Sequence, residues 1–251
     1  MKKVKHIVSF SGGKDSTAML LKMIESKMQI DEIIFLDTTV EFPEMYEHIE
    51  KVKKYINRDI TILKADNSYE FMMFDYVKKK GKNKGQKGYS WADFRTRWCT
   101  IYLKQNVIKR YLKKYKDYKI IEYIGLAADE TKRLEQKKDN RDTRFPLADW
   151  GITEKDALKY CYSKGFDWSG LYTKFDRVSC WCCPLKSLKE LRVLYKDFPE
   201  LWKKLKEWDN KTYRKFRADY SVQELEDKFN KELLNSSKVI LTEEKDEKVE
   251  K

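Results

Sequence analysis

The sequence predicts an α/β fold in which a parallel sheet is flanked by helices and followed by a mostly helical C-terminal part. Short apolar runs alternate with segments of helical periodicity, a glycine-rich loop joins the first strand to the first helix, and helical patterns dominate beyond residue 150. Strands that alternate with helices at this spacing form parallel sheets covered by helices on both faces.

Four strands and three helices of this fold can be placed by pattern. Strands are predicted at 6–10, 33–36, 61–63 and 119–126, and helices at 16–28, 46–55 and 103–118. Pro43 suits the first turn of the second helix. Residues 78–89 carry three Gly and six Lys without an apolar anchor, which predicts a mobile loop.

The composition limits the classes of protein. The 251 residues are 41% hydrophobic and 14% aromatic, which is enough for a full core. The mean hydropathy of −0.78 and the short apolar runs exclude a membrane span. Because Met1-Lys2-Lys3 leads directly into a strand, we expect no signal peptide and a cytoplasmic protein.

The net charge of +13 is concentrated in one region. Residues 78–116 contain 14 basic side chains and one acid, Asp93, so the remainder of the chain is balanced. Such a region can bind a phosphate-rich partner, and tRNA or DNA is the candidate, with Tyr89, Trp91 and Trp98 available for stacking on bases. The alternatives are a solvated lysine face and a lid over a small anion.

The loop between the first strand and the first helix has the chemistry of a phosphate site. It reads Ser9-Phe10-Ser11-Gly12-Gly13-Lys14-Asp15-Ser16. Glycines let the backbone approach a ligand, the helix start presents N–H groups to an anion, and a lysine and hydroxyls add donors. Neither the Walker A pattern nor G-x-G-x-x-G is present.

This loop resembles the PP-loop of ATP pyrophosphatases, and the chain resembles the phosphoadenosine phosphosulfate (PAPS) reductase family within that superfamily. Residues 37–44 (DTTVEFPE) resemble the family element D-T-G-x-x-F-P-E-T, with Thr39 replacing Gly. Residues 125–133 and 144–150 resemble two later elements in part. The resemblance implies the fold of adenine nucleotide α hydrolases and covers residues 5–185.

The resemblance implies a set of site residues. Lys14, Asp15 and Asp37 would act in catalysis, and the nucleotide would be bound by Ser9, Ser11, Gly12, Gly13, Lys14, Asp15, Ser16, Asp37, Arg133 and Arg144. Asp37 could instead be only a helix cap, and either arginine could be an ordinary exposed side chain. The implied cofactors are ATP and Mg²⁺.

Five cysteines in a cytoplasmic chain indicate metal or redox chemistry rather than disulfides. Cys180, Cys182 and Cys183 precede Pro184 and contain a C-x-x-C clip typical of thiolate metal sites. Cluster-bearing members of the family carry C-C-x-x-x-K upstream. Cys99 matches the first Cys of that element, Thr100 replaces the second, and Lys104 matches the Lys.

The resemblance therefore implies a [4Fe–4S] cluster bound by Cys99, Cys180 and Cys183. The fourth ligand would be Cys182 or Cys161, or one iron would stay open. Structural zinc and buried thiols without metal remain alternatives, and Cys161 lies in a helical stretch that favours a core position.

These patterns predict an ATP pyrophosphatase that adenylates a substrate and uses a cluster for sulfur transfer, on nucleic acid as one candidate. The alternatives are an adenylyl-sulfate or PAPS reductase of unusual type and a nucleic-acid-binding module with a structural metal. The E-C-G-[LI]-H motif of thioredoxin-dependent reductases is absent, since no Cys follows Cys183.

The predicted domains are 1–150 (nucleotide-binding), 151–240 (helical, Cys-containing) and 241–251 (charged tail). The sequence is compatible with a homo-oligomer. It does not identify the sulfur donor.

Overall fold

The computed structural model describes residues 2–136 and 142–249, with the backbone alone for 236–249. The chain divides into two compact units, each assembled from two segments. The first unit comprises Met1–Tyr69 and Trp98–Cys180, and the second comprises Glu70–Arg97 and Trp181–Lys251. The predicted domains with a boundary near residue 150 stay a prediction.

The first unit is built on a five-stranded sheet in which every pairing is parallel. Its order is β3-β2-β1-β4-β5. The strands are β1 (Lys3–Ser9), β2 (Glu32–Asp37), β3 (Thr61–Lys64), β4 (Tyr118–Ile124) and β5 (Thr143–Arg144). The predicted α/β class is confirmed. The fifth strand was not predicted, because two residues are too short to show a hydrophobic period.

Strand order reverses beside β1, since β2 and β3 lie on one side and β4 and β5 on the other. Open α/β sheets bind ligands at such a switch point, beyond the carboxyl ends of the strands. The glycine-rich loop of residues 9–16, called the phosphate loop below, begins at the end of β1. The topology therefore places the loop where this class of fold binds its ligands.

Helices flank this sheet. Those of the first unit are α1 (Lys14–Glu25), α2 (Pro43–Ile56), α4 (Trp98–Thr100), α5 (Asn106–Leu112), α6 (Thr131–Glu135), α7 (Pro146–Asp149), α8 (Glu154–Ser163) and α9 (Leu171–Lys174). Apolar residues of α1 such as Met19, Leu20 and Met23 are fully buried. Pro43 occupies the first turn of α2 as predicted.

The single helix predicted over 103–118 is interrupted in the structure. A π-helical turn (Ile101–Gln105) separates α4 from α5, and a 3-10 turn (Lys113–Tyr115) follows α5. π-turns inside helices are frequent at functional sites. Lys104 lies within this turn.

The second unit is helical. Its helices are α3 (Tyr69–Phe74, which begins at the last residue of the first unit's first segment), α10 (Leu188–Asp197), α11 (Pro199–Asn210) and α12 (Val222–Val249). Its core is aromatic: the rings of Trp181 and Trp208 lie 5.1 Å apart, and the Trp91 Nε1 donates to Asp209 Oδ1 at 2.8 Å. Helix α12 continues through most of the predicted charged tail, and residues 250–251 lie outside the described residues. Within the described ranges, no helix has the length and apolar character that a membrane crossing requires.

The lysine-rich segment 78–89, predicted as a mobile loop without an apolar anchor, forms a hydrogen-bonded turn. Val77 and Lys87 form an antiparallel bridge. The Lys78 ammonium is buried and donates to Gln86 Oε1 and Tyr213 Oη at 3.0 Å. Gly88 fits closely against backbone, because a Cβ there would lie 2.3 Å from the Met73 carbonyl oxygen. Lysine and tyrosine thus supply the anchor that the apolar pattern lacked.

The end of β4 approaches the start of α1 closely. A Cβ on Gly125 would lie 2.8 Å from the Ser16 amide nitrogen, so Gly125→Ala must displace the phosphate loop or the strand. We expect a loss of about 3 kcal/mol in the free energy of unfolding, measured by urea denaturation. Gly165→Ala is the control. Its Cβ meets nothing, and its left-handed φ of +81° costs about 1 kcal/mol. Equal losses would contradict this account.

Candidate functional site

The phosphate loop depends on two adjacent glycines. Gly12 has a φ of +77°, and a Cβ there would lie 2.7 Å from the Met45 Sδ. Gly13 is the N-cap of α1 and, in extended conformation, turns the chain into the helix. The loop therefore ends on the helix N-terminus, where N–H groups and the helix dipole favour an anion.

The loop hydroxyls face each other, with one exception. The Ser11 and Ser16 Oγ atoms lie 3.0 Å apart, and the Ser11 N–H donates to Ser16 Oγ at 3.2 Å. The Ser9 hydroxyl instead donates to Glu122 Oε1 at 2.6 Å, which fastens β1 to β4. Ser11 and Ser16 thus lie together at the loop, whereas the Ser9 side chain is hydrogen-bonded within the sheet, and a phosphate contact by any of the three stays a prediction.

Lys14 is buried among charges. Its Nζ lies 3.2 Å from Asp15 Oδ2 and 3.4 Å from Glu154 Oε2, with 7% of the side chain exposed. Its backbone N–H donates to the Tyr172 hydroxyl at 2.9 Å. The ion pairs hold the ammonium at the loop, where it can neutralise phosphate charge. Sequence patterns gave no indication of Tyr172 or Glu154.

Asp15 carries a perturbed carboxyl. Burial raises its pKa from 3.8 to about 6, the Lys14 charge opposes this rise, and the charges of Glu154 and Glu130 add to it. Its Oδ1 atom is buried and has no hydrogen-bond partner among the described residues. An unsatisfied carboxylate oxygen beside an anion-binding loop fits a cation that accompanies phosphates, such as Mg²⁺.

Buried side chains support the loop from beneath. The Trp168 Nε1 donates to the Gly12 carbonyl at 2.8 Å, and the His48 Nε2 lies 3.0 Å from Thr17 Oγ1. The His48 ring stacks on Trp168 at 4.3 Å, and burial lowers its pKa to about 3, so it is neutral. The Cys161 Sγ donates to the Lys14 carbonyl at 3.4 Å, and burial raises its pKa to about 12. Cys161 thus occupies the core position that its helical stretch favoured.

Asp37 shapes the turn after β2. It is 3% exposed, accepts hydrogen bonds from the Thr39 N–H at 2.7 Å and the Tyr46 hydroxyl at 2.8 Å, and pairs with Lys64 at 3.0 Å. Thr39, where the family has Gly, has a φ of +68°. This left-handed conformation explains the glycine of the family pattern. Here the hydrogen bonds to Asp37 and from the Tyr69 N–H hold a threonine in it.

Two of the predicted thiols lie in the first unit with a lysine. The Cys180 Sγ is 3.6 Å from Glu41 Oε1 and 3.7 Å from Thr38 Oγ1. Burial disfavours the charge of Lys104, but the charges of Cys180, Glu41 and Cys99 outweigh it and raise its pKa. The π-helical turn therefore directs Lys104 toward this thiol cluster (Cys99, Cys180, Glu41 and Lys104).

The other two predicted metal ligands, Cys182 and Cys183, belong to the second unit, where Cys182 is buried. Within the described ranges, no group of three or more His, Cys, Asp or Glu side chains is arranged for metal binding. Cys99 and Cys180 alone supply two thiols, whereas an iron–sulfur or structural zinc site takes three or four protein ligands.

The two predicted arginines have local partners. Arg133 pairs with Glu130 on the same helical turn, and about half of its side chain is exposed. Arg144 is exposed in β5 and donates to the Thr143 carbonyl at 3.1 Å. Arg133 and Arg144 thus each contact a near neighbour in sequence. A role for either in nucleotide binding stays a prediction.

The aromatic side chains predicted to stack on bases are mostly core residues. Trp91 and Trp98 are each 1% exposed, so neither can stack on a base. Tyr89 is half-buried and its ring stacks on Tyr76 at 5.6 Å. The aromatic ring exposed in this region is Phe94, at 69%.

The parallel sheet, with a glycine-rich loop and a Lys–Asp ion pair at its switch point, defines an α/β protein of the doubly wound class. Residues 5–186 match the family model of the phosphoadenosine phosphosulfate reductase domain. Because this match covers most of the 251 residues, the chain belongs to that family.

Two curated relatives are similar over most of the chain. Uncharacterized protein MJ0066 of Methanocaldococcus jannaschii is 26% identical over 220 residues, which cover 81% of this chain and 40% of the relative. Uncharacterized protein MJ0973 of the same organism is 30% identical over 204 residues, which cover 78% and 45%. The chain thus spans less than half the length of these relatives.

Two solved structures are also similar. The PAPS reductase of Candida auris in its phosphate complex has a TM-score of 0.46 and 15% identity, covering 72% of this chain and 82% of that one. The U34-tRNA thiolase NcsA of Methanococcus maripaludis with its [4Fe-4S] cluster has a TM-score of 0.42 and 14% identity, covering 84% and 73%. Neither similarity bears on the activity of this chain.

The raised pKa of Asp15 gives a stability prediction. Folding favours the protonated carboxyl, so its contribution is present below pH 4 and is lost as the pH rises through about 6. Asp15→Asn should therefore raise the free energy of unfolding by about 1–2 kcal/mol at pH 7 and by much less at pH 4.5. Urea denaturation in EDTA at both pH values measures this difference.

Asp37→Asn is the contrasting variant, because Asp37 has partners on both oxygens. It should lose stability at pH 7. A gain for Asp15→Asn that is the same at both pH values would contradict the assignment of the titration to Asp15.

Proposed function

We propose that the chain binds ATP at the phosphate loop and, with Mg²⁺, transfers its adenylyl group to a substrate. The single observation that carries this is the buried Lys14–Asp15 pair at the start of α1, with one carboxylate oxygen unsatisfied. Membership of the PAPS reductase domain family and the position at the switch point support the same assignment.

In this reaction a substrate oxygen attacks the α-phosphorus of ATP. The bond from that phosphorus to the bridging oxygen of the β-phosphate breaks, and pyrophosphate leaves with the electron pair. The loop backbone with Ser11 and Ser16 binds phosphate oxygens, Lys14 neutralises charge, and Asp15 is the residue to hold Mg²⁺. Such catalysis is mainly positioning and electrostatic stabilisation. Asp37 acts by fixing the turn after β2.

The thiol cluster is the candidate for subsequent sulfur chemistry on the activated substrate. Lys104 supplies positive charge beside Cys99 and Cys180. The two thiols of this unit are an incomplete ligand set for a [4Fe-4S] cluster or for zinc, so no step of the reaction is assigned to a metal. A metal-ligand role for Cys182 and Cys183 stays a sequence-based prediction.

The adenylation proposal predicts the behaviour of the loop lysine. Lys14→Met keeps the side-chain volume but removes the charge, and we expect at least a hundredfold loss of ATP-dependent pyrophosphate release. Lys22→Met, on the same helix, is the matched control and should retain turnover. Unchanged release in Lys14→Met would refute the assignment. Binding of adenylyl sulfate without any pyrophosphate release by the wild type would favour the reductase alternative.

The thiol proposal predicts the metal content after anaerobic purification. Iron, acid-labile sulfide and zinc should be quantified together with the visible absorption spectrum. We expect iron and sulfide in the wild type and their loss in Cys99→Ala and Cys180→Ala. Cys161→Ala should retain them, since that thiol lies beneath the phosphate loop. Zinc without iron would make the thiols a structural site, and a metal-free wild type would refute metal binding.

A further inference from the structure

The second unit contains a groove that the proposed chemistry does not use. Its cavity of about 630 Å³ lies between the turn at residues 92–95, the segment 184–185 and the segment 214–219. The buried rings of Trp91 and Phe216, 4.9 Å apart, form its floor. An apolar cavity of this size accommodates a flat aromatic group.

Apolar side chains and one unpaired cation stand at the rim. Phe94 is 69% exposed and Leu185 is 50% exposed. The Arg95 guanidinium lies 5.1 Å from the centre of the Phe94 ring and has no ion pair among the described residues. An exposed phenylalanine beside an unpaired arginine offers both a stacking surface and a phosphate contact.

Hydrogen bonds hold the groove in its shape without a ligand. Asp93 accepts from the Arg95 N–H at 2.7 Å and also pairs with Arg214, which fixes the turn that carries Phe94. On the opposite wall, Arg217 donates to the Lys186 carbonyl at 2.6 Å and pairs with Asp219 at 2.9 Å. A preformed site binds without the cost of ordering its walls.

The charge of the groove selects the class of ligand. Four cations line it, of which Arg214, Lys215 and Arg217 pair with acids, so Arg95 is the cation of the groove without an ion pair among the described residues. We propose that this groove binds single-stranded nucleic acid, with a base stacked on Phe94 and a backbone phosphate at Arg95. Unpaired bases expose a π face that duplex stacking conceals, so a single strand fits the exposed ring better than a double helix.

This inference gives the substrate class of the proposed adenylating function. Only the role of the bound strand as a substrate rests on that proposed function. Binding itself needs neither ATP nor the phosphate loop. A failure of binding would therefore leave pyrophosphate release unaffected, and a failure of release would leave binding unaffected.

The test uses the full chain and a fluorescein-labelled uridine-rich 15-nucleotide RNA, free or annealed to its complement, followed by anisotropy without ATP. Phe94→Ala should weaken single-strand binding about tenfold, whereas Phe94→Tyr should retain it. The control Phe71→Ala removes another exposed phenylalanine of the second unit, which is 41% exposed and lies outside the groove, and should bind as the wild type does.

The phosphate contact is tested by the salt dependence of the same binding. Arg95→Ala should reduce the slope of log K against log salt by about 0.7, while Lys203→Ala, an exposed lysine of α11, should leave it unchanged. Four results would overturn the inference: no RNA binding by the folded wild type, wild-type affinity in Phe94→Ala, equal weakening in Phe71→Ala, or duplex bound as tightly as single strand.

Discussion

The burial of Lys14 at the start of α1 is the constraint on which the rest of the site depends. An ammonium removed from water needs opposite charge close by, and Asp15 and Glu154 provide it. The turn that leads into Lys14 uses the left-handed φ of Gly12, and the start of α1 lies so close to Gly125 that a side chain there would clash with it. Sheet topology, loop conformation and electrostatics thus together determine the position of the buried Lys14 ammonium.

The phosphate loop can be predicted from the sequence because the residues that determine it are local. Glycines, hydroxyls and a lysine occur within eight residues after a strand pattern. The side chains that support the loop cannot be predicted in this way. Trp168 and Tyr172 contact the loop across more than 150 residues of chain, and each would pass as an ordinary core aromatic. Likewise, Ser9 belongs to the motif by spacing, but strand pairing with β4 directs its hydroxyl to Glu122.

The basic region shows how tertiary packing overrides a compositional pattern. Lysines beside aromatics predicted a binding face, yet Trp91 and Trp98 are core residues and Lys78 is a buried anchor for its turn. Composition cannot separate these roles, since a tryptophan stacks equally well on a core neighbour or on a base. Exposure does separate them, and it singles out Phe94.

Asp37, at the end of β2, and Asp15, in the first turn of α1, differ in how fully their carboxylate oxygens are paired. Asp37 is buried with partners on both oxygens, so its charge is satisfied and its role in the turn is complete. Asp15 keeps 20% of its side chain exposed, but its Oδ1 is buried without a hydrogen-bond partner among the described residues, and nearby negative charge further disfavours the ionised carboxyl. Under the proposed function, a cation that accompanies the bound phosphates would complete this carboxylate and offset the unfavourable burial of its charge.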